Sequence, residues 1–147
     1  MKHHDVMIRT AIAQTSGDGK ANHYPPPRDD LATLLDLDMS GTAAESLFDA
    51  NKAPADPSDP EAPKQLSIRC VDHGIAMHRL WEHSPEMGHP AMAAALWESH
   101  ERCLGVILEQ RAALEVVAKA LHAKPDQCVP GDVIEQLLEE HWRRELT

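Results

Sequence analysis

The chain has 147 residues, a net charge of −10 at pH 7, 42% hydrophobic residues and only 3% aromatic residues. The negative charge argues against nucleic acid as a partner, because phosphate binding needs clustered lysine and arginine, and it equally disfavours an anionic membrane surface. A core filled by alanine and leucine with few aromatics favours packed helices over a β-sandwich, so we predict a mainly α fold.

The cysteines and the lengths of the apolar runs indicate in which cellular compartment the protein is expected. Cys70, Cys103 and Cys128 are odd in number and form no Cys-x-x-Cys pair, which argues against a disulfide framework and fits a reducing cytoplasm. No apolar run is long enough to span a bilayer, and the first ten residues lack the apolar core of a signal peptide. We therefore expect a cytoplasmic protein without a membrane span.

Residues 1–28 predict a strand and an extended segment. Apolar and polar residues alternate between Asp5 and Ala13, as in a short strand, and glycines 17 and 19 suit a turn. A return strand over Ala21–Tyr24 would complete a short N-terminal β-hairpin. Three consecutive prolines, 25–27, then impose an extended backbone.

Residues 29–50 predict two short helices. The first begins after Asp29 or Asp30, either of which could cap it, with leucines 31, 34 and 35 on one buried face. Ser40 and Gly41 interrupt this pattern. Thr42 and Glu45 then match a capping box, which predicts a second helix over Ala43–Ala50. Its Leu47 and Phe48 are expected to face the core.

A proline-rich loop at 51–63 separates this part from a helical bundle at 64–147. The bundle is predicted to contain three helices. The first begins near Asp59 or Glu61, ends near His83, and buries Leu66, Cys70, Met77, Leu80 and Trp81. The second runs from Met92 to Ala123 after Pro90, with a bend at Gly105, and the third is opened by Pro130.

Ten histidines raise the question of a metal site. His73, His78 and His83 recur every five residues, which places successive rings about 140° apart around a helix. Two ligands on one helix need a spacing of three or four residues, so these three histidines are not expected to share a metal. We expect surface or partly buried imidazoles.

Two cysteine–histidine pairs have helical spacing. His100 and Cys103 are three residues apart, but Leu104 stands where the second histidine of a zinc-peptidase motif would be. A structural metal on this pair would need two further ligands. Cys70 and His73 also share a predicted helix face, yet nothing in the sequence indicates an activated thiol. Packing in the core is the expected role of both cysteines.

Two segments of the chain resemble the peptidase domain of FtsH-type, AAA-linked zinc peptidases. The run ESHERCLGVILEQRAALEVVAKALHA, followed by VPGDVIEQLLEE, resembles the closing helices of those domains. Upstream, SGTAAESLFDA resembles their A-G-x-A-A-E-x-x-F segment, with Gly41, Ala43, Ala44, Glu45 and Phe48 in the matching positions. The resemblance covers roughly residues 31–140.

The resemblance also indicates what the chain lacks. In the family an aspartate downstream of the A-A-E segment is the third zinc ligand, and Asp59 would occupy that position here, although Pro60 and Pro63 depart from the pattern. Nothing between Met1 and Gly41 matches the His-Glu-x-x-His helix. The resemblance thus implies a degenerate or truncated peptidase domain, with an incomplete zinc site and no other cofactor, that acts in binding or assembly.

Two further hypotheses remain open, besides an active zinc metallopeptidase that receives its zinc helix from outside this chain. One is a stand-alone helical interaction module that uses the Met92–Ala123 helix to self-associate or to bind a protein partner. The other is a metal-binding bundle built from the surplus histidines.

Overall fold

The computed structural model describes residues 8–13, 19–23, 30–60 and 70–142. Within these residues the chain is mainly α-helical, as predicted, with five α-helices, one short 3-10 helix and three short strands. Inter-residue contacts divide it into two compact units, which we call the first unit (1–26 and 107–147) and the second unit (27–106). The described part of the proline-rich loop, residues 51–60, lies inside the second unit. A single domain over 1–147 stays a prediction.

The first unit contains a small antiparallel sheet. Strand β1 (Ile8–Ala13) pairs with β2 (Gly19–His23), which confirms the predicted hairpin, and the register shifts between Ile8 and Thr10 as in a β-bulge. A two-residue strand, β3 (Val129–Pro130), pairs with the other side of β1 and gives the order β2-β1-β3. This third strand was not predicted.

Two helices complete the first unit. Helices α4 (Arg111–His122) and α5 (Gly131–His141) contact each other, and both contact β1. Pro130 directly precedes α5, as predicted, because its fixed φ suits the start of a helix. The apolar cluster of this unit consists of buried and half-buried aliphatic side chains: Val117, Leu121, Val129, Ile134 and Leu138.

The second unit begins with α1 (Leu31–Glu45). Asp30 caps this helix, because its carboxylate accepts hydrogen bonds from the Thr33 backbone N–H (3.1 Å) and hydroxyl (2.6 Å). The helix continues through Ser40 and Gly41, so the predicted interruption is wrong. Thr42 does not cap a second helix, because it lies inside α1 and its hydroxyl donates to the Met39 carbonyl at 3.1 Å.

The predicted helix over Ala43–Ala50 is also wrong. Helix α1 ends at Glu45, a turn follows at 46–48, and a 3-10 helix covers Ala50–Lys52. Consequently Leu47 is 43% exposed and Phe48 is 90% exposed, and neither faces the core as expected.

Helix α2 (Val71–His83) ends at the predicted residue, but its predicted beginning near Asp59 or Glu61 is wrong, because Asp59 lies in a loop and Cys70 is extended (φ −155°, ψ 169°) directly before Val71. The predicted core residue Leu66 lies outside the described residues. Its buried face carries His73, Ala76 and Leu80, while the predicted core residue Trp81 is 54% exposed. Since Trp81 lies about 100° around the helix from Leu80, the two do not share the buried face.

Helix α3 (His89–Glu109) has Pro90 in its first turn, as predicted. The predicted continuous helix from Met92 to Ala123 is wrong, because Gln110 leaves the helical conformation (φ −101°, ψ 20°) and separates α3 from α4. Gly105 lies within α3, where an added Cβ would meet nothing within 4 Å. The interruption is therefore at Gln110, a buried residue, and not at the glycine.

Candidate functional site

The densest polar arrangement of the second unit surrounds the Asp36 carboxylate on α1. Ser99 donates a hydrogen bond to it at 2.7 Å, and Arg102 donates through Nη2 at 2.8 Å and through Nε at 3.2 Å. The Cys103 thiol donates to the Asp36 backbone carbonyl at 3.3 Å. One turn of α3 thus binds both the side chain and the backbone of Asp36.

A second ion pair joins α1 to α2. Arg79 donates to the Asp38 carboxylate through Nε (2.6 Å) and Nη2 (3.1 Å), the fork geometry in which arginine binds carboxylates most specifically. Hydrogen bonding to Asp38 raises the pKa of Arg79, and hydrogen bonding to Asp36 raises that of Arg102. Both carboxylates therefore bind arginine side chains of a neighbouring helix and hold α1 against α2 and α3.

The His100–Cys103 pair lies on the buried face of α3, with exposures of 2% and 8%. Burial raises the pKa of the Cys103 thiol to about 11, so the thiolate needed for nucleophilic attack is scarce at neutral pH. Burial lowers the pKa of His100, whose ring lies 5.6 Å from that of Trp97. Cys70 is half-buried at the start of α2 and Cys128 is exposed. For Cys103 the packing interpretation is the one that fits.

The residues of the G-x-A-A-E segment occupy the second half of α1. Ala43 is fully buried, and a Cβ added at Gly41 would lie 3.8 Å from Asp72 Oδ2 on α2. Small side chains at these positions suit close contact between α1 and α2. Glu45 is exposed and pairs with Lys52 at 3.0 Å.

Asp59, the predicted third zinc ligand, lies exposed in the loop after the 3-10 helix, where its backbone N–H donates to the Asp56 carbonyl at 3.1 Å. Within residues 30–60 and 70–142, no three histidine, cysteine, aspartate or glutamate side chains form a group that could hold a metal ion. The zinc role of Asp59 and a histidine-rich metal bundle stay predictions.

His73, His78 and His83 lie in different environments. His73 is buried, whereas His78 and His83 are exposed on the same helix. His78 contacts Glu82 at 3.2 Å, and its ring lies 6.2 Å from that of Trp81. This separation agrees with the five-residue spacing, which predicted that the three rings do not share one face.

The exposed apolar side chains are a feature that the sequence interpretation missed. Val71 and Ile75 are 77% and 47% exposed, on the side of α2 opposite His73 and Leu80. Their spacing of four residues was a signal for a second apolar stripe on this helix. Together with Phe48, they indicate a surface available for contact.

In the part of the chain that the structure describes, no helix combines the length and the apolar character needed to cross a bilayer. Comparisons with protein-family profiles, curated proteins and solved structures give no match to this chain.

Proposed function

We propose that the chain is a degenerate or truncated FtsH-like metallopeptidase domain that acts in binding or assembly and does not hydrolyse peptides by itself. The main support is the contact between Arg102 and Asp36, which are 66 positions apart. Arg102 belongs to the E-x-x-E-R run, and Asp36 lies on the helix that carries the G-x-A-A-E segment. The beginning of the closing-helix run, residues 98–106, and the G-x-A-A-E segment thus belong to one compact unit, whereas the rest of that run belongs to the first unit.

The order of the elements gives further support. The resemblance implies one helix of the form E-x-x-E-R-x-x-x-x-L-x-x-x-R-x-x-L, followed by x-x-A-x-A-L, a short link and a last helix. These segments lie on α3, α4 and α5 in that order, with residues 123–130 as the link, but Gln110 divides the first helix of the pattern between α3 and α4. The hairpin β1–β2 precedes them, as the hypothesis expects.

The expected lack of hydrolysis follows from the sequence. A catalytic zinc needs three protein ligands and a bound water that a general base activates. No His-Glu-x-x-His occurs in the 147 residues, and Asp59 alone would supply one ligand. An in-frame His-Glu-x-x-His upstream of Met1 in the gene would instead make the chain part of an active ATP-dependent zinc metallopeptidase.

A proteolysis assay tests this proposal. The purified chain is incubated with a fluorescent casein substrate, with zinc and with a chelator, beside a known zinc protease as positive control. We expect cleavage no faster than in the protein-free blank under all conditions. Chelator-sensitive cleavage that the substitution Asp59→Asn abolishes would overturn the proposal.

The second candidate is a stand-alone helical interaction module, which the exposure of Phe48, Val71 and Trp81 favours. The Met92–Ala123 helix expected for this role is divided at Gln110, so these side chains are the better candidates for the contact surface. Light scattering across concentration separates self-association from binding to another protein. A cytoplasmic location remains part of the proposal and rests on the cysteine pattern.

A further inference from the structure

The second unit exposes apolar side chains near the end of α1 and the beginning of α2. Phe48 and Val71 are 90% and 77% exposed, the highest values among the large apolar side chains that the structure describes. Leu47 and Ile75, next to them in sequence or one helical turn away, are 43% and 47% exposed. Single exposed apolar residues are ordinary, but an aromatic ring with three aliphatic neighbours is typical of a contact surface.

These four residues lie at the same end of the α1–α2 pair. Near Gly41, α1 approaches Asp72 on the first turn of α2, so the two helices run antiparallel and the end of α1 lies beside the start of α2. Lys52, which follows Phe48 by four residues, binds Glu45 in the last turn of α1 at 3.0 Å and so keeps the segment after α1 close to the end of that helix. We call Leu47, Phe48, Val71 and Ile75 the apolar end.

Among residues 30–60 and 70–142, the charged side chains next to the apolar end in sequence are mostly negative. Glu45, Asp49 and Asp72 lie beside it, and Lys52 is already paired with Glu45. Helix α1 has no basic residue in its last turn, so the negative end of its dipole is not offset from within the helix. A cationic group next to the apolar end would therefore be favoured.

The same charges argue against a second copy of this chain as the occupant. Each copy has a net charge of −10, and a symmetric contact through the apolar end would bring its carboxylates close to those of the partner. Like charges placed opposite each other across an interface oppose association. The occupant should combine apolar residues with positive charge.

We propose that the apolar end binds a peptide segment of another protein in which apolar residues are flanked by lysine or arginine. Phe48 and Val71 would supply the buried contacts, and Asp49 and Asp72 would supply the charge complementarity. This inference rests on the binding role proposed above, and it does not depend on the peptidase resemblance.

The test measures peptide binding by fluorescence anisotropy with the full chain. The probe is a labelled helical peptide made of leucine and lysine, and its twin carries glutamate in place of each lysine. We expect the lysine peptide to bind about tenfold or more tightly than the glutamate peptide, because only the former complements the carboxylates. Equal binding of both peptides would overturn the charge argument.

Surface variants then locate the binding site. Phe48→Ser and Val71→Ser should each weaken binding of the lysine peptide by about fivefold or more, as expected for anchoring side chains. The matched control is Val133→Ser on α5, whose side chain is 43% exposed, and its effect should stay within about twofold. Circular dichroism verifies that each variant keeps its helices.

Two results would overturn the inference. If Phe48→Ser and Val133→Ser have equal effects, the peptide binds to the general negative charge and not to the apolar end. If light scattering detects a dimer that Phe48→Ser abolishes, the occupant is a second copy. The proposed function is tested separately by the proteolysis assay. Chelator-sensitive cleavage in that assay would contradict the proposed function but would leave the peptide-binding results unchanged.

Discussion

The two compact units are stabilised by different kinds of contact. The second unit buries polar side chains among its apolar ones, including Thr42, His73 and Ser99, and it joins α1 to its neighbours by two Asp–Arg pairs. In the first unit, the apolar cluster is formed by aliphatic residues of α4, α5 and β3. The second unit therefore combines a buried apolar core with specific polar contacts, whereas the apolar cluster of the first is small and aliphatic.

The largest expected effect is the loss of a filled core position in the second unit. Leu80 is 1% exposed, so Leu80→Ala should lower the free energy of unfolding by about 2–5 kcal/mol through lost transfer energy and a cavity. Ile134→Ala in the first unit should lie near the lower limit, about 2 kcal/mol, because its half-exposed neighbours can close the space. Urea unfolding measures both, and equal losses would contradict the comparison.

A smaller effect is expected from the polar contacts. Asp36→Asn removes the charge that binds Arg102 and should lower the free energy of unfolding by about 1–3 kcal/mol, since Arg102 is partly open to solvent. The matched control is the exposed pair of Arg111 and Glu115, where Glu115→Gln should cost about 0.5 kcal/mol or less. If the two substitutions cost the same, the polar contacts of the second unit have no special importance.

The pH dependence of stability sharpens the comparison further. Burial lowers the pKa of His100 below 6.5, so the unfolded chain takes up a proton at a higher pH than the folded one does. The contribution of His100 to stability is therefore intact above pH 6.5 and is lost progressively as the pH falls below it. His100→Phe should flatten this part of the curve of urea midpoint against pH, whereas the exposed control His78→Gln should not.

The smallest effect is expected at Phe48. Its ring is 90% exposed, so Phe48→Ala should change the free energy of unfolding by no more than about 0.5 kcal/mol. If Phe48 were a core residue, as the sequence predicted, the same substitution would lower the free energy of unfolding by several kcal/mol. A loss of that larger size in urea unfolding would show that Phe48 packs inside the second unit and would remove the apolar end.

Local signals predicted much of the fold. Asp30, Pro90 and Pro130 each mark the start of a helix, and the alternation over residues 5–13 indicated β1. These features depend on a few neighbouring residues, such as a cap or a fixed φ, and therefore can be recognised in one sequence.

The errors occurred where distant contacts outweigh local preference. Thr42 and Glu45 match a capping box, but Thr42 is 2% exposed and its hydroxyl is satisfied within α1, so the helix continues. The helical pattern is interrupted at Gln110, although neither a glycine nor a proline stands at that position. Tertiary packing determines the backbone conformation at both residues, and a short window of sequence does not contain that information.

The candidate site was less predictable than the fold. The partnership of Asp36 with Arg102 spans 66 positions, and nothing in either local sequence identifies the other residue. Asp59 was predicted to be a zinc ligand only because the chain resembles a peptidase family. A zinc role for Asp59 also requires further ligands from other parts of the sequence. The apolar end was missed because Phe48 was assigned to the core on the basis of a helix that ends at Glu45.

The three free thiols lie at three depths, and this has a practical consequence. Cys128, next to β3 in the first unit, is open to an alkylating reagent in the native protein, while Cys103 in the second unit should react only when that unit opens. Mass spectrometry of timed labelling would therefore follow the opening of the second unit in the native chain, with Cys128 as the internal standard for reagent activity.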